Sequence, residues 1–288
     1  MSFVALPLLV AVILVVVASP RLDRVRPESA TRTAAVLLVL ILSAALPTLW
    51  LIGLSGLAHA GLHNPIIDWS RHLLPDHPPL GAVVGIASLI AAVVGSVRVA
   101  HVLLHHRRIR CTDTCALEMV ESDEVFAYTL PGPSATIAVS RGLRNRLDGA
   151  EFAVVLTHEQ AHARHRHDRF LLLALVAVAF VPPIRRLAAR LRFYLERSAD
   201  EYAVCHTGAD RAFVARTIAK VALAGPGPAA ALGVGDHGVA ARATALLEPS
   251  SAPAMSARIL SLALVGASLA LTVAQLHHTF DFAGGLAI

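Results

Sequence analysis

The sequence predicts a mainly α, polytopic membrane protein with four transmembrane helices and one cytosolic α+β domain that carries a re-entrant or membrane-buried segment. The first observation is composition: 56% of residues are hydrophobic, only 16% are charged, and the mean hydropathy is +0.63. A chain of this kind is too apolar to cover itself with polar surface, so lipid must solvate part of it. The second is a set of four long apolar runs. The third is a more polar stretch between the last two runs, in which strand and helix patterns alternate.

The four apolar runs cover about residues 3–19, 34–58, 80–104 and 259–276. Each is close to the ~17–25 apolar residues that a helix needs to cross the hydrocarbon core of a bilayer. The first run has no Lys or Arg before it and no small-residue cleavage site after it, so we expect it to be retained as a helix. These runs make the lipid bilayer the first expected partner.

Arginines set the expected orientation. They cluster after the first run and at the end of the third, whereas the loop between the second and third runs contains only Arg71. The positive-inside rule therefore predicts a multi-pass protein of the bacterial plasma membrane with its N-terminus outside. It divides the chain into three membrane helices (1–109), a cytosolic domain (110–257), and a fourth helix with a short outer tail (258–288). Because the positive charge flanks apolar runs and forms no basic stripe, nucleic-acid binding is not expected.

Within the cytosolic stretch, about residues 170–184 form a fifth apolar segment that is too short for a standard crossing and contains Pro182-Pro183. A re-entrant or membrane-buried helix fits this length and this proline pair. Upstream, Val125–Leu130 and Ala135–Ser140 are typical of two short strands, joined by the turn-forming Pro131-Gly132-Pro133.

The segment 147–167 carries the most informative motif. Asp148 and Glu151 have the spacing of a capping box, and an apolar run follows, so a helix is predicted to begin there. On that helix His158 and His162 are four residues apart, and both imidazoles project from one face toward a common metal ion. The alternative is a helix with exposed histidines, in a chain that has fifteen of them.

Zinc suits this arrangement. Two neutral histidines and one carboxylate leave a tetrahedral Zn²⁺ with an open fourth position for water. The ion lowers the pKa of water from 15.7 to about 7, and Glu159, beside the first histidine, can take the proton as general base. Glu196 is the candidate third ligand. Asp200, one helical turn later, is expected to accept a hydrogen bond from a liganding histidine; the alternative is a solvated charged helix face.

The motifs Thr157-His158-Glu159-Gln160-Ala161-His162, Arg166-His167-Asp168 and Glu196-x-x-Ala199-Asp200 resemble those of the BlaR/MecR-type antirepressor metalloproteases, and more distantly the HtpX and CAAX-protease group. The resemblance implies a zincin-type α+β metalloprotease of the gluzincin class with a cytosolic site. It implies one Zn²⁺ per chain held by His158, His162 and Glu196, with Glu159 as the base. Its substrate would be a protein such as a winged-helix repressor, and a homodimer is one candidate assembly. Since few residues follow Leu276, the resemblance is to members that lack a sensor domain.

Five residues have weaker assignments. Ala138 and Ser140 lie in a strand that could be an edge strand pairing with an extended substrate; a plain structural hairpin is the alternative. Arg242 resembles a recurrent arginine of the family and could stabilise an oxyanion, with a surface helix arginine as the alternative. His165 and His167 are expected to lie in an exposed turn.

The leading functional prediction is an integral-membrane zinc endopeptidase that cleaves a cytosolic or membrane-proximal protein, such as a transcriptional repressor in a signalling pathway. Two alternatives stay open. One keeps the chemistry and changes the task to quality control of membrane proteins, as in the HtpX group. The other is a transmembrane signalling protein that binds zinc without catalysis.

Overall fold

A computed structural model of the chain describes residues 5–62, 64, 67, 78–109, 117–132, 136–225 and 237–248, together with the isolated positions 263, 266, 270 and 273. Within these residues the fold is mostly helical, with one three-stranded sheet. Of the fourth predicted membrane run, residues 259–276, only the four isolated positions are described, and they are helical. The rest of that run lies outside the described residues.

The three N-terminal runs form helices long and apolar enough to cross a membrane. They are α1 (Leu6–Ala18), which continues as a 3₁₀ helix (Ser19–Arg24), α2 (Pro27–His59) and α3 (Pro78–Ile109). Both long helices exceed the runs that predicted them: α2 has 33 residues and α3 has 32. At 1.5 Å per residue each is about 50 Å long, well beyond the ~30 Å of a hydrocarbon core.

Glycines bring α2 and α3 together. A Cβ atom at Gly56 would collide with the backbone of Gly85, and one at Gly53 would lie 2.9 Å from the Cα atom of Leu89. Small residues at such crossings let two helix backbones touch, which gives dispersion contacts in place of the hydrophobic effect that lipid does not supply.

The sheet contains β1 (Leu117–Val120), β2 (Ala127–Thr129) and β3 (Ile137–Ser140) in the order β1-β3-β2. β2 and β3 pair antiparallel, as the two predicted strands require, although each is shorter than its sequence pattern. β1 pairs parallel to β3 and was not predicted. β3 is the central strand, and its four residues are all buried.

The remaining helices follow the sheet: α4 (Arg141–Arg146), α5 (Gly149–Arg164), α6 (His167–Phe180), α7 (Arg185–Thr207), α8 (Arg211–Ala224) and α9 (His237–Leu247). The predicted capping box at the start of α5 is present. The Asp148 side chain accepts from the Glu151 backbone, and the Glu151 side chain accepts from the Asp148 backbone.

The fifth apolar segment, at about residues 170–184, forms most of α6. A 3₁₀ turn at Pro182–Ile184 then reverses the chain into α7. The hairpin packs on α2 and α3, and a Cβ at Gly95 of α3 would lie 2.7 Å from the ring of Phe180. Because α7 returns along α6, its second half reaches the same end of the hairpin as α5.

Candidate metal centre

His158 and His162 share one face of α5, and α7 brings Glu196 against them. The two Nε2 atoms are 3.2 Å apart. The Glu196 carboxylate oxygens lie 3.5 Å from His158 Nε2 and 3.6 Å from His162 Nε2. The three predicted ligands therefore converge on one point from two helices. Among the described residues they are the group of histidine, cysteine and acidic side chains placed to hold a metal ion.

These spacings fit zinc. Ligands at about 2.0–2.1 Å from a tetrahedral Zn²⁺ lie about 3.4 Å from one another. The separations of 3.2, 3.5 and 3.6 Å match that edge length. The donor set of two imidazoles and one carboxylate is that of a hydrolytic zinc site with an open position. The Glu196 side chain is 38% exposed, so solvent reaches the cluster at this ligand.

Asp200 lies one turn after Glu196 and faces the other nitrogen of His158, with 3.0 Å between its Oδ1 and Nδ1. Its side chain is only 1% exposed. Burial disfavours the imidazolium of His158, but the contacts with Asp200 and Glu196 outweigh it and raise the pKa of His158 to about 10. In the metal-free chain His158 is therefore protonated at neutral pH. At His162 the effect of burial prevails, and the pKa is lowered.

Arg242, on α9, lies inside this cluster, so the interpretation of a surface arginine is wrong. Its Nε and one Nη donate to the two oxygens of Asp200 at 2.9 and 2.6 Å, and the other Nη lies 3.0 Å from Glu196 Oε2. Burial alone would raise the carboxyl pKa values of Glu196 and Asp200, but the charge of Arg242 and the contacts with the neighbouring histidines together outweigh it and lower both. Arg242 thus helps to keep both carboxylates ionised.

Glu159 follows His158 on α5 and is buried. Its Oε2 accepts a hydrogen bond of 2.9 Å from the Thr129 hydroxyl, which also lies 3.0 Å from the Glu159 carbonyl oxygen. Thr129 is the last residue of β2, so the sheet meets the metal cluster at this point. Nothing in the linear spacing of the sequence pointed to this contact, since thirty positions separate the two residues.

The structure contradicts the edge-strand interpretation of Ala138 and Ser140, because β3 is the central strand. Ala138 pairs with Glu118 on one side and with Tyr128 on the other. The Ser140 hydroxyl accepts from the backbone of Phe126 and caps α4 by accepting from Leu143 N. Both residues are structural, and the edge next to the metal cluster is β2.

His167 was expected in an exposed turn and is instead 4% exposed, packed against His162. Burial, reinforced by the neighbouring His162, lowers the pKa of His167 to about 3, so its imidazole is neutral. His165 does lie on the surface.

This geometry defines a candidate metalloprotease centre, and comparisons with known proteins agree with that class. Residues 98–188 match the model of Peptidase family M48. The M48 peptidases are zinc-dependent. The matched stretch includes His158, Glu159 and His162 and ends before Glu196.

Individual proteins with curated names also match the chain. Over 150 residues the chain is 27% identical to a "Protease HtpX homolog" from Listeria innocua serovar 6a, which covers 45% of this chain and 49% of the relative. Identically named proteins of Listeria monocytogenes serotypes 4b and 4a are 26% identical with the same coverage. The chain spans about half the length of the curated relatives it matches. No solved structure matches. These findings support a multi-pass membrane metalloprotease of the M48/HtpX-like group; the BlaR/MecR-type resemblance is unconfirmed.

Proposed function

We propose that this protein is an integral-membrane zinc-dependent endopeptidase, with His158, His162 and Glu196 as the metal ligands and Glu159 as the general base. The observation that carries the proposal is the spacing of the three donor groups, which matches the edges of a zinc tetrahedron. When bound, zinc supplies the Lewis acidity that makes water a nucleophile near neutral pH and polarises a peptide carbonyl.

The chain's own groups have distinct tasks in this proposal. Glu159 takes the proton of the attacking water and passes it to the leaving amine. Thr129 holds the Glu159 carboxylate through its hydroxyl and so limits the positions from which it can act. Asp200 orients the ring of His158, and Arg242 anchors Asp200 and Glu196 together.

Within the described residues the outer edge of β2 has no partner strand, and this supports an extended peptide as substrate. Ser140 N donates to Phe126 O, and Leu130 N donates to Thr136 O, so residues 126 and 130 point their backbone groups toward β3. By the alternation of an antiparallel ladder, Ala127 and Thr129 point theirs away from β3. A substrate strand added there would run past Thr129 to Glu159, which favours cleavage within a chain.

We propose a cytosolic site, because the arginine cluster at the end of the third apolar run directly precedes the stretch that contains it. The membrane helices then present the site to cytosolic or membrane-proximal proteins. The relatives named as HtpX homologues favour the HtpX-like alternative, for which the expected task is quality control of membrane proteins. Cleavage of a winged-helix repressor, suggested by the BlaR/MecR-type resemblance, is the second candidate.

The test compares the full-length chain with Glu159→Gln, both purified in detergent, for zinc content and for cleavage of a quenched-fluorescence peptide library. Glu124→Gln, on an exposed residue away from the cluster, is the matched control. We expect zinc in all three proteins and cleavage only in the wild type and the control. Equal cleavage by Glu159→Gln would remove the assigned base, and a wild type without zinc would remove the metal site.

A further inference from the structure

His167 lies on His162 because the chain reverses sharply between α5 and α6. Arg166 adopts the left-handed conformation, with φ of 54°, and is the one non-glycine residue with positive φ in the described chain. Its guanidinium donates to the carbonyl of Gly132 at 2.9 Å, which helps to hold this turn. As a result, the first residue of α6 packs under the last turns of α5, and His167 Nδ1 lies 2.8 Å from His162 Nδ1.

Two nitrogens at this distance share one proton, and the metal site decides which ring carries it. His162 directs Nε2 toward His158 and Glu196, so a metal at that point needs the Nε2 lone pair. A neutral imidazole has one protonated nitrogen, which must then be His162 Nδ1. His162 Nδ1 therefore donates to His167 Nδ1, which accepts.

The same reasoning assigns the proton of the His167 ring. Because His167 Nδ1 accepts, the proton of that ring lies on Nε2, which is 3.4 Å from the Ser198 hydroxyl oxygen. Ser198 can accept that proton because its own hydroxyl donates to the Leu195 carbonyl at 2.8 Å. If the His167 tautomer were reversed, His162 would carry its proton on Nε2 and could not bind a metal.

We propose that His167 is a positioning residue that fixes the metal-binding tautomer and the ring orientation of His162. This inference rests on the proposed zinc function. It gives the two histidine ligands different supports: His158 has the carboxylate of Asp200, and His162 has a neutral imidazole backed by a serine on the same helix as Glu196. One helix, α7, thereby supplies a ligand, the carboxylate that contacts His158 and the serine that contacts His167.

The test measures the zinc dissociation constant of the full-length chain in detergent by competition with a chromophoric chelator. His167→Leu removes the acceptor at similar side-chain volume, whereas His167→Asn keeps an oxygen near the position of Nδ1. Loss of such an outer contact typically weakens metal binding 10–100-fold. We expect a loss of that size in His167→Leu and recovery of most of it in His167→Asn. His165→Leu, on the exposed neighbour, is expected to bind zinc like the wild type.

Two further measurements complete the test. Ser198→Ala is expected to weaken zinc binding by a smaller factor, and it reports on the same contacts if His167→Leu does not fold. In the cobalt-substituted protein, His167→Leu should shift the visible absorption bands and His167→Asn should restore them. Equal affinity of wild type, His167→Leu and Ser198→Ala would overturn the inference. Equal weakening in His167→Leu and His167→Asn would overturn it too, since packing alone would explain the loss. A wild type that binds no zinc would instead refute the proposed function.

Discussion

Removing the guanidinium of Arg242 separates two roles for this residue. If it anchors the two carboxylates, Arg242→Met should destabilise the metal-free chain; if it acts on an oxyanion, the substitution should lower kcat and leave stability unchanged. The anchoring role follows from its three contacts at 2.6–3.0 Å. Arg242→Lys is the matched control, because it keeps the charge and loses the planar fork that binds a carboxylate through two nitrogens.

The magnitude comes mainly from Asp200, whose side chain is 1% exposed while that of Arg242 is 15% exposed. Breaking a buried pair by removing one partner costs about 3–5 kcal/mol, because the other charge stays buried. The contact with Glu196 adds little, since that side chain is 38% exposed and water screens it. At about 2–4 °C per kcal/mol, the thermal midpoint should fall by about 6–20 °C.

The assay is thermal unfolding of the zinc-free, full-length protein in detergent at one scan rate, followed by turnover of the zinc-loaded protein. We expect Arg242→Met to show the full loss of stability and Arg242→Lys a smaller one. An unchanged midpoint in Arg242→Met, together with a large loss of kcat, would refute the anchoring role and favour oxyanion stabilisation.

Two other predictions concern the proton on His158 and the contact between Thr129 and the proposed base, Glu159. Since the pKa of His158 is raised to about 10 in the metal-free chain, zinc must displace its proton. Zinc affinity should therefore rise about tenfold per pH unit between about pH 6.5 and 8.5, where the pKa of this residue lies above the pH. Calorimetry in buffers of different ionisation enthalpy should detect one proton released from this group, and no release would contradict the assignment. Thr129→Val removes the hydroxyl beside the proposed base, and loss of a hydrogen bond to a charged group costs about 1.5–3 kcal/mol. We expect kcat/KM to fall at least about tenfold at unchanged zinc content; unchanged turnover would show that this contact does not position the base.

The parts of the site that the sequence predicts are those encoded by local spacing. His158 and His162 share a face because an α-helix repeats every 3.6 residues, and the capping box fixes where that helix begins. Glu196 and Asp200 follow the same rule on α7. All four side chains lie on the helix faces that this periodicity predicts.

The parts that the sequence does not predict depend on contacts between distant segments. The short sequence of β1 does not mark it as a strand. Its pairing with β3 makes it one and makes β3 the central strand. Arg242 reaches the cluster because α9 packs against α7, which its own helical pattern cannot reveal. His167 is buried by one left-handed turn at Arg166, where no glycine signals such a conformation.

The N-terminal helices share one hydrophobic core with α7, the helix that carries Glu196. A single buried cluster joins Ala11 of α1 and Leu37 of α2 to Leu191 and Tyr194 of α7. The Tyr194 hydroxyl also donates to Asp23, in the turn between α1 and α2, at 2.5 Å. Glu196 is only two residues further along α7, so the helix that supplies the third donor is fixed in place by the N-terminal membrane helices. The stretches before and after the expected boundary near residue 110 thus both contribute side chains to one buried cluster.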